Sequence, residues 1–459
     1  MTALLFSVMF LQCLNTSLIT VPLPQISEDL HISVSESSWL LLSYSLGTCA
    51  LLLQFAKLSR NNRMKAFFTY GLVIFTMSSF VCFLAEDFLT LTVVRFIQGA
   101  SIAMSASTCA IIVVQKYPDN VKGSALGTMA AGTGLAMVLG PSLGGLLQSI
   151  VSWHGLFLVN IPVALVTLVL ACWNIPKDGP SVESDDPDAA GCVSWFVVLI
   201  FGLIFFENLM EWGGELLFLF GFVAFFGLVV LAWNLSERKD HEPIISPGLV
   251  SSGPFKLIAA SAMIGSAITE GAFYLLPYLM QISWHMDVTE CGLYFCVVSV
   301  ATFLTARIIG GYCDTHPSRG PVLGSFVCTL VFDVIFIVIR PEWSVAVVVM
   351  SACMVGISFA IFETAQYLRM IRHTDPWFRE EAATMITVLT YVGASIGLIV
   401  YSLTFNLAVP EAENIGIDQL SSSLMLEGFH ATGLLGLVLG LVGITLARLV
   451  RGRERIVSE

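Results

Sequence analysis

The stretch GTGLAMVLGPSLGG, residues 132–145, lies within an apolar run that is long enough to cross a bilayer as a helix. Gly132, Gly140 and Gly144 are spaced in multiples of four residues, so they form one smooth ridge along such a helix. Small residues at this spacing let two membrane helices approach backbone to backbone. Pro141 removes a backbone donor and bends the helix near one end of the ridge. The pattern favours a closely packed, bendable membrane helix, although the glycines alone fit plain packing equally well.

The composition of the 459-residue chain indicates an integral membrane protein. Hydrophobic residues make up 56% of the chain and charged residues 12%, and the mean hydropathy is +0.85. A soluble protein could not cover so much apolar surface, because most of its exterior must stay wet. Long apolar runs favour a helical bundle over a β-barrel, whose strands are short and alternate in polarity. The net charge of −12 argues against nucleic acid as a partner, since that contact needs a basic face.

Apolar runs separated by short polar breaks predict fourteen membrane spans of about 20 residues each. The first run begins almost at Met1 without a basic segment before it, so we expect it to be retained as a span. The predicted spans are 2–23, 38–58, 65–86, 88–115, 123–149, 154–174, 190–210, 214–234, 255–282, 289–309, 320–339, 343–368, 381–405 and 426–449.

Two polar linkers divide these spans into three groups. The segment after the sixth run is acidic and rich in proline, which is typical of a polar linker. The predicted organisation is a six-helix half at 1–175, an acidic cytoplasmic linker at 176–189, an inserted two-helix hairpin at 190–235, a second cytoplasmic linker at 236–254 and a second six-helix half at 255–459.

Basic residues predict the orientation of the spans. Lys and Arg cluster after the second, fourth, eighth, tenth and twelfth runs and at the end of the chain. The opposite loops are nearly bare of them, with Arg340 as the main exception. By the positive-inside rule, both termini are therefore expected in the cytoplasm, with the chain in the inner or plasma membrane.

Two further motifs accompany the glycine ridge, RFIQGA at 95–100 on the fourth run and WHGLFLVNIP at 153–162 at the opening of the sixth. With them, the chain resembles the major facilitator superfamily, and within it the fourteen-span drug:proton antiporter family of the EmrB/QacA type. The resemblance covers essentially the whole chain. It implies an all-α membrane fold of six, two inserted and six helices, in which two halves rock about a midplane site.

The resemblance also implies roles for individual residues. Arg95 and Gln98 would couple protonation to conformational change, and Asp314 and Arg319, in a basic turn after the tenth run, would belong to a cytoplasmic gate. A conformational motif would comprise Gly132, Gly134, Gly140, Pro141, Gly144 and Gly145.

The chain departs from the family pattern at two acidic positions. Asn15 replaces the usual acid of the first span, and Ser59 replaces the usual aspartate of the turn after the second span. Asn15 cannot itself bind or release protons at physiological pH, so with Gln12 it is a candidate for the wall of the substrate cavity. Proton coupling would then have to rest on other acids.

Glu270 is the strongest acid candidate. It lies midway along the ninth span and shares one helix face with Ser266, Tyr274 and Gln281, which we predict to line a substrate cavity. A desolvated carboxyl group can be protonated reversibly near neutral pH, which suits a proton carrier. The alternative is a Glu270 locked in an ion pair with Arg95.

Other polar residues within spans leave alternatives open. Arg95 and Gln98 lie on one helix face, and a buried Arg needs partners, so they could equally form a structural hydrogen-bond hub. Glu363, with Gln366 on the same face, could line the cavity and carry protons or reach towards water. Asp333 could be a second proton carrier, or it could form a structural pair with another polar group.

These features favour a proton-coupled exporter of small amphipathic compounds that works by alternating access. One alternative is an exporter of a single endogenous metabolite or siderophore, with atypical or no proton coupling. Another is a membrane sensor that does not transport. We expect no enzyme, cofactor or metal site, because P-loop, H-E-x-x-H and C-x-x-C motifs do not occur. The expected partners are a small-molecule substrate, protons and the lipid bilayer, and a monomeric chain is compatible with the sequence.

Overall fold

The computed structural model describes the chain except residues 21, 31, 33, 61–62, 119–120, 149–150, 179–188, 208–223, 226, 231, 233–245, 287, 317, 341, 410–421 and 451–459. The described residues are almost entirely helical. The first helices are α1 (Thr2–Thr20), α2 (Leu23–Asp29), α3 (Val34–Arg60), α4 (Met64–Phe83), α5 (Phe88–Lys116), α6 (Lys122–Gln148) and α7 (His154–Asn174).

The later helices follow the two linkers. Helix α10 ends in a π-helical turn, Leu279–Ser283, just after Pro277 interrupts its regular hydrogen bonding. The helices are α8 (Ala189–Glu207), α9 (Pro247–Ser251), α10 (Gly253–Tyr278), α11 (Val288–Thr315), α12 (Arg319–Val338), α13 (Val345–His373), α14 (Arg379–Ala408, after a 3₁₀ turn at Pro376–Phe378) and α15 (Ser422–Leu449).

The all-helical prediction is confirmed. Eleven helices of the described residues are long and apolar enough to cross a membrane, and α3 and α8 carry the shorter apolar segments Trp39–Leu52 and Val193–Gly202. All but one of the fourteen predicted spans coincide with a helix. The span predicted at 214–234 falls mostly outside the described residues, so the count of fourteen and the hairpin at 190–235 stay predictions.

A polar residue sets the start of α5. Asp87 caps α5, where its side chain accepts a hydrogen bond from the Thr90 backbone N–H at 2.8 Å. A carboxylate at this end interacts favourably with the helix dipole. The hydrogen bonds with Thr90 lower the pKa of the exposed Asp87 carboxyl below its ordinary value of 3.8. The cap lies just before the apolar span begins and so marks its boundary.

The helices pack into two groups that meet along two seams. In the first group α1 packs on α6 and α7, and α5 packs on α3 and α4. In the second group α10 packs on α14, α11 on α13, and α12 on both α13 and α15. The seams are formed by α6 against α11 and by α3 against α14, and α8 lies against α3 and α14.

Large apolar side chains cover the outward faces of the bundle. Met77 of α4, Trp173 of α7 and Ile308 of α11 are 65%, 80% and 72% exposed. Continuous apolar surface of this kind suits lipid rather than water. The exposure pattern and the long apolar helices together indicate a protein that crosses the membrane many times.

Candidate functional site

A cavity of about 250 Å³ lies between the two groups of helices. Helices α1, α3, α5 and α6 line it on one side, and α10, α11, α13 and α14 on the other. Its wall is mainly aliphatic, aromatic and methionine side chains. Among its described lining residues, the side chains with a carboxyl group are Glu270 and Glu363, and neither Lys nor Arg is present. A mostly apolar cavity with a few polar groups is typical of small-molecule sites.

Helix α10 presents the predicted polar face to this cavity. Ser266, Glu270 and Tyr274 all line it, because their spacing of four residues keeps them on one side of the helix. Glu270 is half-buried within the described chain. Gln281, the fourth predicted member, lies in the π-helical turn beside the Cys291 thiol and is not among the lining residues.

Helix α13 brings a second carboxyl group to the same cavity. Glu363 is half-buried there and close enough to Glu270 for the two charges to repel each other. Its neighbour Gln366 also lines the cavity and donates through Nε2 to Ser261 Oγ of α10 at 2.9 Å. Two positions were predicted for the Glu363 side chain, one lining the cavity and one reaching towards water. In the structure it lines the cavity.

A buried polar network lies outside the cavity in the first group of helices. Asn15 donates through Nδ2 to Gln98 Oε1 at 3.1 Å and accepts at Oδ1 from Asn160 Nδ2 at 2.8 Å. Gln98 Oε1 also accepts from Arg95 Nη1 at 2.9 Å, and Gln98 Nε2 donates to Ser79 Oγ at 2.7 Å. These bonds join α1, α4, α5 and α7, so Asn15 is a member of the network rather than of the cavity wall. Gln12, one turn earlier, does line the cavity.

The Arg95 guanidinium is fully buried among neutral groups. Its Nε donates to the Leu40 carbonyl at 3.1 Å, and its Cζ lies 4.8 Å from the centroid of the Tyr44 ring. Within the described residues no carboxylate contacts it, so the ion pair with Glu270 is not formed. The geometry fits the hydrogen-bond hub, while a role of Arg95 and Gln98 in coupling stays a prediction.

Sequence reasoning missed three side chains that complete this network. Asn160 belongs to the quoted motif at 153–162, so its polar side chain inside a span could have been found from the sequence. Ser79 and Tyr44 belong to no motif. Their roles follow only from the packing of α3 and α4 against α5.

The glycine ridge of α6 packs against α1. A Cβ added at Gly132 would lie 2.5 Å from the Phe6 carbonyl oxygen, and additions at Gly140 and Gly144 would collide with Ser17 and Leu18. Gly134 faces the other way, where an added Cβ would lie 2.8 Å from Thr302 Cγ2 of α11. Helix α6 is thus held closely on both sides. Pro141 lines the cavity and Gly145 is buried.

Asp314 joins the two groups of helices at the predicted cytoplasmic end. Its Oδ2 accepts from the Ser124 backbone N–H in the first turn of α6 at 3.0 Å, where the helix dipole favours a carboxylate. Arg319 instead donates to the Arg448 carbonyl at 3.2 Å, which links α12 to α15.

The Ser59 side chain lies outside the described residues. Asp333 lies in neither the gate nor the cavity but is buried between α12, α14 and α15.

An all-helical bundle with a cavity between two helix groups defines the class of multi-pass membrane transporters. The sequence profile of the Major Facilitator Superfamily matches residues 5–398, so the chain belongs to this family. It is therefore a transporter and not an enzyme.

Relatives in the family bear several transport names. The chain is 23% identical to the riboflavin transporter RibZ of Clostridioides difficile (strain 630), over 86% of each protein. It is 24% identical to multidrug resistance protein 3 of Bacillus subtilis (strain 168), over 85% of this chain and 76% of the relative. It is also 24% identical to the multidrug efflux pump SdrM of Staphylococcus aureus (strain N315), over 90% and 91%.

Solved structures share the fold. The human organic anion transporter MFSD10 (TETRAN) superposes with a TM-score of 0.65 at 14% identity, covering 97% of this chain and 98% of its own. A bacterial homologue of the human lysosomal transporter Spinster, in an inward-facing and unoccupied conformation, gives 0.63 at 14% identity, covering 98% and 96%. At such identity the likeness establishes the fold alone.

Proposed function

We propose that this protein is a proton-coupled exporter of small amphipathic compounds, of the fourteen-span drug:proton antiporter type. The observation that carries the proposal is the cavity between the two helix groups, whose described wall residues are mainly apolar and aromatic and include Glu270 and Glu363 but neither Lys nor Arg. Relatives named as multidrug transporters support an efflux function. Alternating access would expose this cavity first to one side of the membrane and then to the other.

The cavity chemistry favours substrates that combine flat apolar groups with a positive charge. Two carboxylates in a low-dielectric cavity attract a cation more strongly than they would in water. Tyr44, Phe273 and Tyr391 add aromatic faces to the wall, and such faces stack on planar apolar groups and attract cations. A lipophilic monocation fits both features.

Protons and substrate would compete for the two carboxyl groups. When Glu270 and Glu363 are ionised, they bind the cation, and their mutual repulsion is relieved by its charge. Protonation from the outer side neutralises them, which releases the substrate and resets the conformational cycle. Coupling in this scheme rests on the second helix group, since Asn15 and its partners in the first group cannot exchange protons at physiological pH.

The proposal includes an arrangement in the membrane. Both termini lie in the cytoplasm of a cell with the chain in its plasma membrane, as the distribution of Lys and Arg predicts. Two six-helix halves flank the inserted hairpin, and the contacts of α6 with α1 and α11 suit a helix that transmits movement between the halves. Asp314 would hold the cytoplasmic end closed in the present conformation through its bond to α6.

The direct test uses purified protein in proteoliposomes with an imposed pH gradient and ethidium as the cationic probe. Gradient-driven ethidium transport is expected for the wild-type protein and should be lost in Glu270→Gln. The matched control is Glu290→Gln, which makes the same chemical change at an exposed position at the start of α11. Full gradient-driven transport in Glu270→Gln would refute the role of that residue.

A second candidate is export of one endogenous metabolite. The similarity to a protein named as a riboflavin transporter favours it, because that similarity spans 86% of both chains. Riboflavin and ethidium, assayed side by side in the same vesicles across pH, separate the two candidates. Transport of riboflavin without ethidium, and without a response to pH, would favour the metabolite exporter.

A further inference from the structure

Asp333 is a buried carboxyl group that the cavity does not use. It lies on α12, is 0% exposed, and neither of its oxygens has a hydrogen-bond partner among the described residues. The hydroxyl group of Tyr401 on α14 is buried and unpartnered in the same way. Two polar groups left unbonded inside a membrane protein are costly, so the pair calls for a function.

Gly436 of α15 brings the two groups together. A Cβ added there would collide with Asp333 Oδ1 and would lie 2.8 Å from the Tyr401 hydroxyl oxygen. The carboxyl and phenol oxygens therefore share the small space in front of this glycine. Any larger residue at position 436 would occupy the space that the two oxygens now fill.

Tyr401 also connects this pair to the cavity wall. Its ring packs against Gly271 of α10, where an added Cβ would collide with the ring. Gly271 directly follows Glu270, which lines the cavity. A movement of α10 that accompanies substrate release would therefore press on the Tyr401 ring and shift its hydroxyl group relative to Asp333.

No cation balances Asp333 within the described part of the chain. The titratable groups on the helices around it lie elsewhere: Glu270, Tyr274, Glu363 and Tyr367 line the cavity, Arg369 donates to the Ala447 carbonyl, and His430 contacts the Ile339 carbonyl. A buried carboxylate without a cation is strongly disfavoured, so this environment favours the protonated form of the carboxyl group.

We propose that Asp333 and Tyr401 form a proton-binding site behind the cavity, with Tyr401 as the residue that positions the proton. The Asp333 carboxylate takes up one proton from water when movement of α10 and α14 opens the pair, and it returns that proton to water on the opposite side of the cycle. The inference deepens the proposed function and rests on it, since it adds a second proton carrier to the same exporter.

The test compares Asp333→Asn and Tyr401→Phe with the wild-type protein in ethidium-loaded proteoliposomes. Two matched controls repeat the chemical changes at exposed positions, Asp375→Asn and Tyr70→Phe. Ethidium exchange at equal pH on both sides, which needs no net proton movement, should persist in both variants. Asp333→Asn should lose much of the stimulation by a pH gradient, while Tyr401→Phe should keep it.

The pH profile distinguishes a positioning role of Tyr401 from mere packing. Once movement of α10 and α14 brings the phenol to the ionised carboxylate, the phenol would donate to it, so its removal favours the protonated form and moves the midpoint of the profile to higher pH. The expected shift is about 0.5 to 1 pH unit, a three- to tenfold change in proton affinity, as for one hydrogen bond to an ionisable group. An infrared band of a protonated carboxyl group should vanish in Asp333→Asn.

Each outcome decides the inference. A wild-type protein that ignores the pH gradient refutes both the proton-coupled function and this site. A gradient response that depends on Glu270 but is unaltered in Asp333→Asn, or a pH midpoint that is unchanged in Tyr401→Phe, refutes the site alone. If either variant fails to fold, Gly436→Ala crowds both oxygens without removing a polar group, and an unchanged midpoint there also refutes the site.

Discussion

The substitution Gly140→Leu tests whether the contact between α1 and α6 changes during transport. A Cβ at Gly140 would collide with Ser17 Oγ and lie 2.5 Å from Ser17 Cβ and 2.8 Å from its backbone carbon. Backbone atoms cannot move aside as a side chain can, so the helices must separate. Overpacking of this kind typically costs about 1–3 kcal/mol.

The magnitude of the transport defect depends on whether this energetic cost falls on one conformation of the transport cycle or on both. If the helices pack this closely in only one conformation, the whole cost shifts the equilibrium between the two conformations by roughly 5- to 150-fold. The cycle then stalls in the other conformation, and the transport rate falls by a similar factor. If α1 and α6 move as one body, the cost is equal in both conformations and the rate is unchanged.

The assay measures ethidium transport in proteoliposomes beside the amount of folded protein recovered from the membrane. Gly311→Leu is the matched control, because a Cβ at Gly311 of α11 meets nothing within 4 Å. Gly140→Ala adds the Cβ alone and should also slow transport. Combining it with Ser17→Gly should restore part of the transport rate, since that change removes Ser17 Oγ and Cβ, the two atoms nearest to the added Cβ. Wild-type transport in Gly140→Leu, with normal recovery, would refute a role of the glycine ridge in conformational change.

Three further outcomes are expected. Asn160→Leu leaves Asn15 Oδ1 without its donor, so the melting temperature should fall by the equivalent of about 0.6–1.7 kcal/mol, measured by thermal unfolding in detergent. Asp314→Asn should raise the fraction of protein open at the cytoplasmic end, measured by the labelling rate of cysteines placed there, because a neutral amide is held less strongly by the α6 dipole. Asp87 has a lowered pKa when folded, so its stabilisation of α5 is present above the ordinary value of 3.8 and is lost as the pH falls through the folded value. Asp87→Ala should remove that acid-sensitive part of the melting curve, and an unchanged curve would contradict the capping role.

The helices could be predicted from sequence because the bilayer imposes them. Backbone groups in lipid must bond within their own segment, so each apolar run of sufficient length becomes a helix. The α10 face with Ser266, Glu270 and Tyr274 lies at the cavity for the same local reason, while the roles of these residues in binding substrate and protons stay predictions. Gln281 left that face because the π-helical turn after Pro277 changes the rotation of each following residue.

The contacts between helices distant in sequence could not be predicted. Asn15 was expected at the cavity wall, yet it bonds to Gln98 and Asn160, which are 83 and 145 residues away in the chain. Whether a polar side chain in a span faces a cavity or a neighbouring helix depends on the rotation of the whole helix in the bundle. Side-chain spacing along one helix does not contain that information.

The sequence by itself determined that the chain is a helical membrane protein of the major facilitator type, since hydropathy and local motifs depend on neighbouring residues only. The tertiary structure alone decided which polar groups lie close together. It put Glu270 and Glu363 in one cavity, left Arg95 among neutral groups, and placed Asp333 and Tyr401 side by side in front of Gly436. The physical reason is that electrostatic and hydrogen-bond interactions act over a few ångströms, and only the packing of the helices brings these groups within that distance.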